Sequence, residues 1–341
     1  MSTNIKEIAA KANVSPATVS RVFSGNATVK EGTKARILAI ATELGYSPRK
    51  AGRPVEAKES FQRIGLVIPT VRNTYYSEII GGIESFLKPL GIRLVTCCVD
   101  EQPEKELEYL TILKKMGISG IILVPSLNIY DETVVLLSEM ENSGTPLVLL
   151  DRDIRQATFD GVFMDNYSGA FHSTMALMNR GHKNIAFLEG NPEISGALDC
   201  FRGYREALSS QGIPLREEYI LQGDYNFDTA YRVVKTCYSE HPEITAVFSS
   251  SQRMALGCIF AFEELGLHIG EDISIICNGR PDVGFDFISH ASYPISDVGR
   301  ECGRILYGKM VYGMESTSVR RRIFFDMKMY LRGSENYRGN L

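Results

Sequence analysis

Apolar and polar positions follow two different periods along this chain. In "NIKEIAAKA", residues 4–12, Ile5, Ile8, Ala9 and Ala12 recur at the spacing of one helical face. Asn13-Val14 interrupts the pattern. Ser15 then stands as an N-cap, with Pro16 at the first helical position, where a missing N–H costs nothing. A short helix over about Pro16 to Phe23 follows, with Val19, Val22 and Phe23 as its apolar side. After a loop through Gly25-Asn26, Ile37, Ile40, Ala41 and Leu44 mark a third helix that starts near Glu31, and Gly45 ends it. Helix, tight turn, short helix, loop and helix is the helix-turn-helix arrangement, and it predicts a small domain over residues 1–47.

From Ile64 the texture changes. Short β-rich runs alternate with helical stretches: "RIGLVIP", 75–90, "RLVTCCV", 103–116, "GIILVP", 131–142, "PLVLLD". A second series follows: "GVFMD", 167–180, "NIAFLEG", 197–211, "YILQGDY", 227–239, "AVFSSS", 252–265, "ISIICNG", 296–312. Near-continuous apolar strands separated by helices predict parallel sheets covered on both faces. Two series predict two such subdomains within residues 61–341. Ligands of open α/β sheets bind outside the carboxyl ends of the strands, so a cleft between the subdomains is the expected site.

Charge is placed unevenly. The chain carries a net −4, yet residues 1–60 hold ten Lys/Arg against five Asp/Glu, leaving 27 against 36 in the remainder. A basic head on an acidic body directs the head alone to phosphate. Arg21, on the outer side of the second helix, can bond a guanine edge or grip a phosphate, and Ser15, Thr18 and Ser20 can donate to phosphates. Residues 48–60 read as a basic linker with two prolines and a glycine. No signal peptide or membrane span is expected. The seven cysteines are odd in number and lack C-x-x-C spacing, so reduced thiols in the cytoplasm are expected, with neither metal nor cofactor. The phosphate-binding, nucleotide-binding, nucleophile-elbow and zincin motifs are all missing, which argues against catalysis.

The stretches "VSPATVSRV", "ATELGYSP", "MDNYSGAFHSTMALMNRGHKNIAFLEG", "FRGYREAL", "MALGCIFAFEELGLHIGEDISII" and "ISDVGRECGRIL" resemble the lactose-repressor/galactose-repressor family of bacterial transcription regulators over nearly the whole length. The resemblance implies a cytoplasmic repressor, a homodimer or tetramer, that binds a pseudo-palindromic double-stranded DNA operator and is switched by a small effector. It adds Pro16, Ala17 and Asn26 to the DNA-facing set. It also implies a body like a periplasmic binding protein, with three chain crossovers near 160–166, 290–296 and 322–328. One subdomain would then span about 61–162 plus 294–324, and the other about 163–291 plus 326–341.

The linker departs from the family pattern. A hinge helix there would contain Gly52 and Pro54, which oppose it, and Val55 stands where the family has leucine. "PRKAGRP" resembles the core of an AT-hook, with Arg53 as the minor-groove contact; the alternative is a plain basic tether.

For the effector, the resemblance implicates Tyr75, Tyr76, Ser126, Asp151, Cys200, Tyr225, Ser251 and Gly279, and Arg253 is a further candidate beside them. Three family positions differ together. Cys200 replaces an effector-clamping arginine, Gly279 an aspartate, and Ser251-Gln252 an Asn-Asp pair. Arg253 and Arg280 are added charges. This pattern predicts an effector other than a plain neutral sugar: a modified or anionic sugar or another ring-bearing compound. The alternative is a degenerate cleft, with control by a protein corepressor or constitutive binding.

Overall fold

The structure is a computed structural model and describes residues 5–23, 29–44, 62–72, 74–281, 283–312 and 320–337. The chain divides into two units, 1–60 and 61–341.

The first unit holds α1 (Ile5–Lys11), α2 (Pro16–Phe23) and α3 (Glu31–Glu43). Ile8, Ala9, Ala12, Val19, Val22, Ile37 and Ala41 form its core, all of them positions read from the periodicity, while Ile5, Ile40 and Leu44 from the same reading pack against it partly buried. Asn13 makes the turn between α1 and α2 with φ 52°, a conformation that asparagine tolerates better than most residues. The Thr18 amide donates to Ser15 Oγ at 3.2 Å, so Ser15 caps α2 as its chemistry predicts.

The second unit contains two sheets. The first is built from β1 (Arg63–Ile68), β2 (Arg93–Cys98), β3 (Gly120–Leu123), β4 (Leu147–Leu150), β5 (Asp160–Met164) and β11 (Arg322–Phe325), in the order β11-β5-β4-β3-β1-β2. All its pairs are parallel. Helices α4 (Thr74–Leu87), α5 (Pro103–Lys115), α6 (Asp131–Asn142) and α11 (Ile295–Tyr312) cover it, with a separate core on each face. The second sheet has β6 (Ile185–Glu189), β7 (Ile220–Gln222), β8 (Ala246–Ser249), β9 (Ser274–Asn278), β10 (Ser289–Ser292) and β12 (Lys328–Tyr330), in the order β12-β10-β9-β8-β6-β7. Its helices are α7 (Asn166–Met178), α8 (Ser195–Ser210), α9 (Phe227–Glu240) and α10 (Gln252–Glu264). Only β12 runs antiparallel in this sheet.

The chain passes between the sheets after Met164, after Ser292 and after Phe325. Strand β5 therefore runs past the boundary at 162 expected from sequence, and β10 past the one at 291. The segment "YILQGDY" is strand only over Ile220–Gln222, because Asp224 and Tyr225 turn with φ 49° and 51°. Helices α4 and α11 pack at backbone distance. A Cβ on Gly82 would overlap the Ser296 carbonyl, and one on Gly299 would overlap that of Ile79.

Candidate functional site

A cavity of about 640 Å³ lies between the carboxyl ends of the two sheets. The first subdomain contributes Thr70 after β1, Tyr75 and Tyr76 at the start of α4, Glu101 after β2, Leu127 after β3, and Asp151 and Arg152 after β4. The second contributes Asn166, Asn191, Tyr225, Ser250, Ser251, Arg253, Asn278 and Gly279. Ser292 ends β10, and Tyr293 and Met327 belong to the connecting segments.

Each aromatic is placed by a local constraint. Tyr75 and Tyr76 pack edge to face, with centroids 5.0 Å apart. Tyr225 follows Asp224 through the left-handed turn, and its ring covers Gly190, where a Cβ would collide with it. Asp151 also has a left-handed backbone, φ 68°. Such conformations in non-glycine residues concentrate where a side chain must be held in one place.

The electrostatics centre on β4's end. Burial raises the Asp151 pKa, while the Arg152 guanidinium and hydrogen bonding from Tyr75 and Tyr76 pull it back. Burial works against the charge of Arg152 as well, but its hydrogen bonds to Glu101 keep its pKa above the ordinary value. Arg152 donates twice to that carboxylate, at 2.8 and 2.7 Å. Burial pushes the Tyr75, Tyr76, Tyr225 and Tyr293 hydroxyls up, and Asp151 adds to the rise in all four. Three buried polar atoms of lining residues have no partner: Arg152 Nε, Ser250 Oγ and Asn278 Oδ1. Unpaired buried polar atoms are costly and mark places where a ligand or water is accepted.

Tyr75, Tyr76, Asp151, Tyr225, Ser251, Arg253 and Gly279 thus line one cavity. Two other expected residues do not. Cys200 is buried beneath the wall, where its sulfur accepts from Asn278 Nδ2 at 3.3 Å and burial pushes the thiol up to about 12. It faces the core of the second subdomain, so it supports Asn278 rather than meeting a ligand. Ser126 is buried off the cavity, its amide donating to Glu106 Oε2 at 2.7 Å. Arg280 is exposed and outside the lining. Ser251 has a structural duty too: its hydroxyl caps α10 by accepting from the Met254 amide at 3.3 Å.

The sequence reading missed Arg152, Glu101, Asn278 and Tyr293. Arg152 and Asn278 each adjoin a residue that was chosen, so the strand-end signal was there to extend by one position. Glu101 and Tyr293 lie in loops with no periodicity.

In the head, Ser15, Pro16 and Ala17 are exposed and Thr18 is half-buried at the start of α2. The Ser15 and Thr18 hydroxyls bond each other at 2.8 Å. Ser20 and Arg21 fall on α2, but their side chains lie outside the described set, as do Asn26, Arg53 and Val55 altogether.

A three-helix head with a capped second helix, on a chain whose body is a two-sheet binding fold, defines a class of ligand-responsive regulators. Residues 4–49 match the family model for bacterial regulatory proteins, lacI family. Residues 62–294 match that for periplasmic binding proteins and the sugar binding domain of the LacI family. The chain belongs to the lacI family. It is 32% identical over 318 residues to catabolite control protein A of Priestia megaterium, covering 90% of this chain and 92% of that one. It is 30% identical over 290 residues to the HTH-type transcriptional repressor PurR of Yersinia pestis, covering 85% and 82%. Among solved structures, its fold matches a complex of the transcriptional regulator CelR with cellobiose, TM-score 0.70 at 23% identity over 98% of this chain and 100% of that one. It also matches the transcription regulator CcpA of Lactococcus lactis, TM-score 0.71 at 23% identity over 80% and 99%. These relatives are transcriptional regulators rather than enzymes.

Proposed function

We propose that this protein is a cytoplasmic, homodimeric repressor whose operator affinity is set by a small ring-bearing ligand in the cleft. The observation that carries the reading is the cavity itself. Four tyrosines, a half-buried carboxylate and three unpartnered buried polar atoms line about 640 Å³ of space. That volume falls within the range of sites that enclose a small molecule, with apolar walls and a few polar groups that fix orientation. A degenerate cleft would be expected to fill with side chains and to pair its buried polar atoms. The head supplies the other half of the function, with the small side chains of Pro16 and Ala17 and the guanidinium of Arg21 reading base edges in the major groove.

The test is footprinting of the full chain across its genome, with and without a ligand found by thermal-shift screening. A twofold-symmetric footprint is expected, with half-sites about one helical turn apart. Ligand should change its occupancy. An asymmetric footprint, or occupancy indifferent to every ligand that binds the body, would contradict the proposal.

A further inference from the structure

We infer that the cleft selects an organic cation: a small ring-bearing ligand whose protonated or quaternary amine sits against Asp151 between the tyrosine walls. This deepens the reading of the cleft just given and rests on it.

The charges of the interior do not balance. Glu101 and Asp151 are negative and Arg152 is positive, and all three line the cavity. Arg152 is committed to Glu101 by a bidentate pair and to the Pro125 carbonyl at 3.1 Å. Asp151 is left as the carboxylate without a dedicated cation. The remaining charged lining residues, Arg72, Asp224 and Arg253, are exposed at the rim, where water screens them.

What surrounds Asp151 is aromatic. Tyr75, Tyr76, Tyr225 and Tyr293 line the same cavity, and Tyr75 and Tyr76 hydrogen-bond to the Asp151 carboxylate. Ring faces attract cations through their quadrupoles, so tyrosine rings that line the same cavity as a carboxylate suit an ammonium group. The hydrogen-bonding atoms agree. Asn278 gives one N–H to Cys200, and its acceptor, Oδ1, has no partner. A carboxylate and ring faces favour a cation, and the carbonyl oxygen takes any N–H or O–H donor of the same ligand. One donor, Arg152 Nε, is also unpartnered and wants an acceptor, which a ring oxygen, ring nitrogen or hydroxyl of the same ligand supplies. A neutral ligand would bring no charge to Asp151, whose carboxylate accepts hydrogen bonds from Tyr75 and Tyr76 and feels the Arg152 guanidinium, and an anionic one would add repulsion.

The experiment is calorimetry of the full chain with pairs of probes that differ chiefly in charge: glucosamine against glucose, and choline against 3,3-dimethylbutan-1-ol, with glucose 6-phosphate as the anion. At least one cationic probe is expected to bind about tenfold or more tighter than its neutral partner, the scale of a desolvated cation–π contact. Asp151→Asn, which tolerates the left-handed backbone, should erase that preference. Equal or tighter binding of the neutral partners, tighter binding of the phosphate, no measurable binding of either cation, or a preference that survives in Asp151→Asn would overturn the inference. The pairwise comparison on the unaltered protein stands even where the variant folds poorly. Operator retention measured on the same preparation separates this failure from failure of the repressor reading.

Discussion

Arg152, at the end of β4, reaches past the end of β3 to Glu101, beyond the end of β2, and closes a two-bond pair at 2.8 and 2.7 Å. On the way it donates to the Pro125 carbonyl, and Glu101 in turn accepts from the Leu127 amide at 3.2 Å. One ion pair thus braces three loops that form a wall of the cleft. Removing one partner of a fully buried pair costs about 3–5 kcal/mol because the other charge is stranded. Glu101 keeps 35% of its side-chain surface exposed, so Glu101→Gln should cost less, about 1–3 kcal/mol. Urea denaturation of the full chain measures this, and an unchanged midpoint would show that the brace is dispensable.

Glu106 lies fully buried below the same wall, and burial raises its carboxyl pKa to about 6. The folded state therefore holds a proton that the unfolded chain releases near the ordinary carboxylate value. Between those two values the folded state binds more protons, so stability falls as pH rises through them. The loss should reach about 2 kcal/mol above pH 6. Glu106→Gln should flatten that slope. Parallel pH dependences of the unfolding midpoint in the two proteins would refute the assignment.

The contact between α4 and α11 separates two neighbouring glycines. Gly82→Ala drives a methyl into the Ser296 carbonyl and should destabilise by about 1–3 kcal/mol. Gly81 has nothing within 4 Å of a built Cβ, so Gly81→Ala should be neutral or stabilise by up to about 1 kcal/mol through helix propensity. The sign difference between adjacent positions in thermal unfolding is the readout.

In the head, Ser15→Ala removes the cap of α2 and should cost about 1 kcal/mol of head stability. Arg21→Ala should instead leave folding alone, cost about 1–3 kcal/mol at the operator and relax preference at one symmetric pair of positions. A uniform loss across sequences with a shallower salt dependence would reassign Arg21 to phosphate.

For the linker, exchanging A·T for G·C pairs at the operator centre should weaken the unaltered protein more than Arg53→Ala, if Arg53 enters a narrow minor groove. Equal penalties in mobility-shift titrations would leave the linker as a plain basic tether.

The sequence by itself determined most of the elements. Periodicity of 3.6 in the head, continuous apolar runs in the body, and caps such as Ser15 depend on neighbours a few residues away, and those are written in order along the chain. The ends of β1 and β4 were legible for the same reason, while Tyr75, Tyr76 and Asp151 were picked out there by the family resemblance. Strand β10, "SHAS", was not legible. It has no β-branched residue and is a strand only because it fits between β9 and β12, with Ser289 bonded to Glu335 and its amide to Ser334. Tertiary structure also decided which way helix α8 turns, burying Cys200 while Asn278 faces the cavity. It joined Glu101 to Arg152 across 51 residues. Partnership of that kind depends on which strand lies beside which, and a parallel sheet whose order differs from its sequence order hides that from any local pattern.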